Sequence, residues 1–235
     1  MLVAAAVCPC PPLLVPEVAT GAAPELDAAR TACADAVGLL AASRPDRLYV
    51  VGPSGEGADG VFPAGTEGSF AGFGVDLSVR LGDGPAGDRP LPASLTVGAW
   101  LLGRADWTAA PVEGLAVGER EAVEACAATG RELAASADRV ALLVMGDGSA
   151  CRTVKAPGYL DERAAGFDAE AARALGAADV AALLALDEEL AYELKAAGRA
   201  PWQVLAGAAE GAGLEGRLLH EDAPYGVEYV VAAWS

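Results

Sequence analysis

Residues 139–158 read RVALLVMGDGSACRTVKAPG, and this stretch decides the fold. Arg139–Met145 is a short apolar run of the kind found in strands covered on both faces of a sheet. Gly146 and Gly148 then break the run, and Pro157-Gly158 closes the loop that leaves it. A buried strand feeding a Gly-rich, polar loop points to a layered α/β protein with its chemistry beyond the strand end.

The rest of the chain repeats that grammar. Met1–Val7 and Arg47–Gly52 (RLYVVG) are further apolar strands, the first followed by the Pro-rich turn Cys8–Pro16. Residues 73–81 alternate as a strand, and the Gly-rich stretch Pro53–Ser69 and the polar stretch Gly82–Pro92 read as loops. Helices are expected over about 24–40, where Leu26, Ala29, Cys33, Val37 and Leu40 recur at helical spacing, and over 93–104 and 118–136. Three more are expected over 168–178, 180–197 and 201–212, before closing strands at 216–220 and 227–233 around the turn Ala223–Gly226. No repeat or linker divides the chain, so residues 1–235 are expected to form a single domain, a mixed or parallel sheet with helices on both faces.

Composition narrows the function classes. The formal net charge of −17 argues against nucleic acid and anionic membrane surfaces, which need clustered Lys and Arg. No stretch runs long enough without charge, Gly or Pro to span a bilayer. Met1–Val7 lacks the basic flank of a secretion signal, the first basic residue being Arg30, so a cytoplasmic protein is expected. The five cysteines show neither zinc-ribbon nor CxxC spacing and read as free thiols, with Cys33 and Cys126 on apolar helical faces. A small-molecule ligand and assembly into a homo-oligomer are both compatible with this composition.

Four loops hold the candidate chemistry. Val7-Cys8-Pro9-Cys10-Pro11-Pro12 and Val51-Gly52-Pro53-Ser54-Gly55 follow the first two strands. Met145-Gly146-Asp147-Gly148-Ser149-Ala150-Cys151-Arg152 follows a later strand and runs through Ala156-Pro157-Gly158-Tyr159 to Phe167-Asp168. Leu219-His220-Glu221-Asp222-Ala223-Pro224-Tyr225-Gly226-Val227-Glu228-Tyr229 joins the last two strands. In their order and spacing across nearly the whole chain, these loops resemble the class III extradiol ring-cleavage dioxygenases of the LigB type, relatives of the MEMO proteins.

The resemblance implies a LigB-like domain and, in the family's usual mechanism, non-haem Fe(II) held by two His and one carboxylate, with another His as acid/base. Imidazole suits both tasks, as a neutral nitrogen ligand that titrates near neutrality. This chain has one histidine, His220. Cys10 stands where the family has its His-Pro-Pro ligand, Ser54 where it has the ligand of Ser-Pro-His-Gly, and Ala150 where it has the acid/base of Gly-Asp-x-Ser-His. Glu221 is the candidate for the carboxylate ligand. The pocket implied by the resemblance is lined by Cys10, Ser54, Asp147, Ser149, Ala150, His220 and Glu221, with Cys10 and Glu221 as the metal candidates left.

Two classes of function follow. One is a homologue without the ring-cleaving metal site, its cleft kept for a small molecule or for regulation, with no cofactor. The other is an active enzyme with altered metal or cysteine chemistry on an aromatic or related molecule. For that second class, Cys151 is the candidate nucleophile, with Asp147 beside it and Arg152 and Lys155 lowering its pKa.

Overall fold

A stack of apolar strands needs cover on both faces, and the computed structural model, which describes residues 1–55 and 59–235, supplies it with two helical layers. In chain order the elements are β1 (Leu2–Cys8), α1 (Pro16–Ala19), α2 (Asp27–Ala42), β2 (Arg47–Pro53), β3 (Gly60–Phe62), β4 (Glu67–Ser69) and β5 (Ser78–Arg80). They continue with α3 (Ala93–Arg104), β6 (Val112–Val117), α4 (Val123–Ala135), β7 (Val140–Met145), α5 (Ala164–Ala177), α6 (Val180–Leu184) and α7 (Glu188–Glu193). The chain closes with α8 (Arg199–Ala209), β8 (Gly216–Asp222) and β9 (Tyr229–Trp234).

The main sheet has the order β3-β6-β2-β7-β1-β9-β8, and β4 pairs with β5 in a small separate sheet. Strands β6, β2, β7 and β1 run parallel, while β3, β9 and β8 each run antiparallel to the neighbour through which they join. The fold is therefore α/β with a mixed sheet. Side chains of successive strand residues alternate between the two layers. In β7, Val140, Leu142 and Val144 enter the core shared with α4, α5 and α8, and Ala141, Leu143 and Met145 the core shared with α2 and α3.

The structure departs from several local expectations. β6 is an unexpected strand because Glu113 and Gly114 interrupt its apolar run, yet Gly114 is needed there: a Cβ would press on Leu81, Leu95 and Phe62. The alternating stretch 73–81 is strand only at Ser78–Arg80, and the presumed loop 53–69 contains β3 and β4. Its residues 56–58 lie outside the described residues. The helix expected over 180–197 is two short helices, because Asp179 and Asp187 each cap a fresh N-terminus through Ala182 N–H and Leu190 N–H. Among the described residues, no helix is long and apolar enough to cross a membrane.

Candidate functional site at the carboxyl ends of the parallel strands

Strands β1, β2, β6 and β7 point the same way, so the loops that leave them gather along one sheet edge. The segment after β7 is fixed first. Gly146 N–H donates to the Cys8 carbonyl at 3.0 Å, extending the β7–β1 pairing by one step. Gly146 and Gly148 are pressed against Gly198 and Trp202, and against Glu228 and Asp168, where any Cβ would collide. Asp147 lies between them, and its Oδ1 accepts Cys10 N–H at 2.9 Å while Oδ2 accepts the Cys10 thiol at 3.8 Å.

The electrostatics of that pair are those of two weak acids. Burial pushes the Asp147 carboxyl up to about 7, against the two Cys10 hydrogen bonds that lower it. Burial, followed by the neighbouring Asp147, pushes the Cys10 thiol well up, so Cys10 is a thiol donor and not a thiolate. Tyr229, only 2% exposed at the start of β9, is pushed up by burial and then by Asp147, Tyr225 and Cys10. Tyr225 reaches across to Glu25 through a hydroxyl hydrogen bond of 2.9 Å.

Ser54 is buried at the end of β2; its N–H donates to Val117 O at 3.0 Å and its hydroxyl to Gly55 O at 2.9 Å. Ala150 is also buried, with its N–H on Leu194 O and its carbonyl accepting Gly158 N–H, and its methyl has no proton to exchange. Behind this edge lies a second polar cluster that the sequence reading did not assemble. Ser149 donates through N–H and Oγ–H to the two oxygens of Asp168, at 2.7 and 2.6 Å. Arg152 donates to Asp168 at 3.2 Å and to Glu228 at 2.7 Å.

Cys151 does not have the surroundings expected of a nucleophile. It is 2% exposed, and its thiol donates to Leu194 O at 3.4 Å. Burial, then Asp161, raises its pKa, while Arg152 turns its guanidinium to Asp168 and Glu228. All five cysteines are free and buried. Native protein should therefore label slowly with iodoacetamide at every cysteine, Cys151 no faster than Cys33 or Cys126, with rates that rise only on unfolding. Rapid native labelling of Cys151 would contradict this geometry.

Glu221 and His220 stand apart from the Cys10–Asp147 pair. Both lie on the outer strand β8, paired with Val230 and Val231, which belong to opposite core layers. Glu221 is exposed and His220 half-buried. From β8 it is two strand spacings to β1, which leads to Cys10, and four to β2, which leads to Ser54, on the order of 10 and 19 Å at ~4.8 Å each. Among the described residues, no three His, Cys, Asp or Glu side chains form a group able to hold a metal. The donor set agrees: Cys10 donates its thiol proton to Asp147, Ser54 turns its hydroxyl to Gly55, and Glu221 is exposed on the outer strand β8, where it faces Glu228.

The residues missed in sequence were Asp168, Glu228 and Tyr229 as members of a site. Their signal was a charge, Glu228, set directly against the apolar run of β9, where an unpaired carboxylate is costly.

No family model matches the chain, and no curated protein matches it. Among solved structures, it is similar to an uncharacterized protein from Escherichia coli K12, with a TM-score of 0.61 and 16% identity over 99% of each chain. At that identity the likeness is one of fold.

Proposed function

We propose that this chain is a LigB-type dioxygenase homologue that has given up the Fe(II) ring-cleavage site and keeps the edge formed by Cys10, Ser54, Asp147 and Tyr229 to bind a small molecule. The observation that carries the reading is the state of the three positions that match the family's histidines. Cys10 is a protonated thiol on Asp147, Ser54 is bonded to its own turn, and Ala150 is an aliphatic side chain. A ring-cleaving oxygenase needs a facial ligand set with open positions and a base beside it, and these side chains supply neither. Function resides in the site and not in the fold, so loss of the site separates this chain from the family's activity.

Binding then rests on neutral and acidic groups: the Asp147 carboxyl, the Tyr229 hydroxyl and the Cys10 thiol. Protein incubated anaerobically with Fe(II) and then exposed to oxygen with catechol-type substrates should give no ring-opened product above the rate of free iron. Turnover at enzyme-like rates would overturn the reading and require another ligand set.

A further inference from the structure

Three buried side-chain atoms lack a hydrogen-bond partner among the described residues, and one of them, Glu228 Oε1, sits in the cluster behind the site. Glu228 is 1% exposed and Asp168 is fully buried, so two carboxylates share one half-exposed guanidinium, that of Arg152. The cluster is also a seam. Gly148 N–H donates to Glu228 O, Glu228 N–H to Ser149 O, and Arg152 N–H to Gly226 O, binding the segment after β7 to the turn before β9. That segment carries Asp147 and Ala150.

We propose that Glu228, Arg152, Asp168 and Ser149 form a pH-operated clasp, which holds residues 146–158 against the start of β9 while Glu228 is protonated and loosens when Glu228 ionises.

The charge count gives the direction. Facing Glu228 are Asp168 from α5, Arg152 from the segment itself, and Glu221 and Asp222 from β8. With Glu228 neutral, Arg152 answers Asp168. With Glu228 ionised, its proton passes to solvent and a second buried negative charge must be held by the same cation, with Oε1 still unpartnered. Burial, then Asp168, pushes Glu228 up to about 7, with Arg152 opposing. In the open segment Glu228 returns to an ordinary carboxyl, so opening releases a proton. The closed form is favoured at low pH, loses ground as pH rises from the ordinary carboxylate range to about 7, and changes little above that. The clasp stands independently of what the pocket binds.

Amide hydrogen exchange tests it, with rates corrected for the intrinsic pH dependence. Protection of residues 146–158 should fall at least about tenfold between pH 5 and pH 7.5, while the β1–β7 core changes far less. Glu228→Gln, which keeps the shape and cannot ionise, should remove most of that fall. Asp147→Asn should leave a substantial part of it, because Asp147 titrates in the same range from the other side of the segment. The proposal is overturned if the wild-type segment shows no fall, if Glu228→Gln keeps the full response, or if Asp147→Asn alone abolishes it. Should Glu228→Gln not fold, infrared spectra of the wild type still decide: a protonated buried carboxyl band that survives in Asp147→Asn at pH 5 and vanishes by pH 8 is required, and its absence sinks the clasp.

Discussion

Replacing Arg199 with leucine should destabilise the protein by at least about 3 kcal/mol, measured as a lower urea midpoint at unchanged slope. Arg199 is 1% exposed at the first turn of α8 and makes no ion pair among the described residues. Its charge is met by dipoles instead. Nη1 donates to Glu121 O at 2.7 Å and to Gln203 Oε1 at 2.8 Å, and Nη2 donates to Glu119 O at 2.5 Å. Gln203 carries the network on to Leu183 O and Leu186 O, both at 3.2 Å. One guanidinium thus ties the loop after β6 to α8 and to the end of α6. Leucine would leave Gln203 Oε1 unpaired in the buried interior and the Glu119 and Glu121 carbonyls unpaired at its part-buried margin, a loss of about 1–3 kcal/mol for each acceptor that water does not reach. Gln203→Leu should cost less, because Arg199 keeps its two carbonyls. A stable Arg199→Leu would mean that the loop carbonyls reach water in solution and that the network is not formed.

The second large effect reverses the usual order of helix propensity. Glycine inside a helix ordinarily costs about 1 kcal/mol relative to alanine. Gly130 in α4 and Gly207 in α8 are exceptions, because each is where the other helix's backbone arrives. A Cβ on Gly130 would run into Val204 O, and one on Gly207 into Ala127 O. The two helices cross at glycine on both sides, closer than any side chain permits, and α8 in turn packs on the sheet. Gly130→Ala and Gly207→Ala should each lose on the order of 3 kcal/mol or more, since the clash is with backbone and cannot be relieved by a rotamer change. Gly38→Ala on the exposed face of α2, where a Cβ meets nothing within 4 Å, should gain about 0.5–1 kcal/mol. Thermal melts of the three variants side by side separate packing from propensity. Equal stabilisation by all three would refute the close crossing.

The legible part of this chain was its parallel core. Val140–Met145, Arg47–Gly52 and Met1–Val7 announce strands because a two-sided core demands continuous apolar residues, and all three lie adjacent in the sheet. The loops leaving them were legible for the same reason, since parallel strands must discharge at one edge. The periphery was less so. β6 hides behind Glu113 and Gly114, whose presence depends on tertiary neighbours, and the break between α6 and α7 depends on the side chain of Asp187 turning back to cap.

At the site, sequence placed Cys10 and Asp147 in one cleft, and a hydrogen bond between them now joins the loops. The seam of Glu228 with Asp168 was not legible. It is built by residues 60 positions apart, which only the antiparallel return of β9 beside β1 brings together. The surroundings of Cys151 were not legible for a related reason: sequence shows that Arg152 is adjacent, but not that its side chain points to Asp168 and Glu228.

The central proposal, that Cys10, Ser54 and Glu221 hold no iron, is tested most directly by iron titration of protein purified without a histidine tag, under anaerobic conditions. The account predicts substoichiometric, weak binding of Fe(II), unchanged in Ser54→Ala and Glu221→Gln. Tight binding of one Fe(II) per chain, weakened by Cys10→Ser or by Glu221→Gln, would contradict it and show a metal site built on those residues.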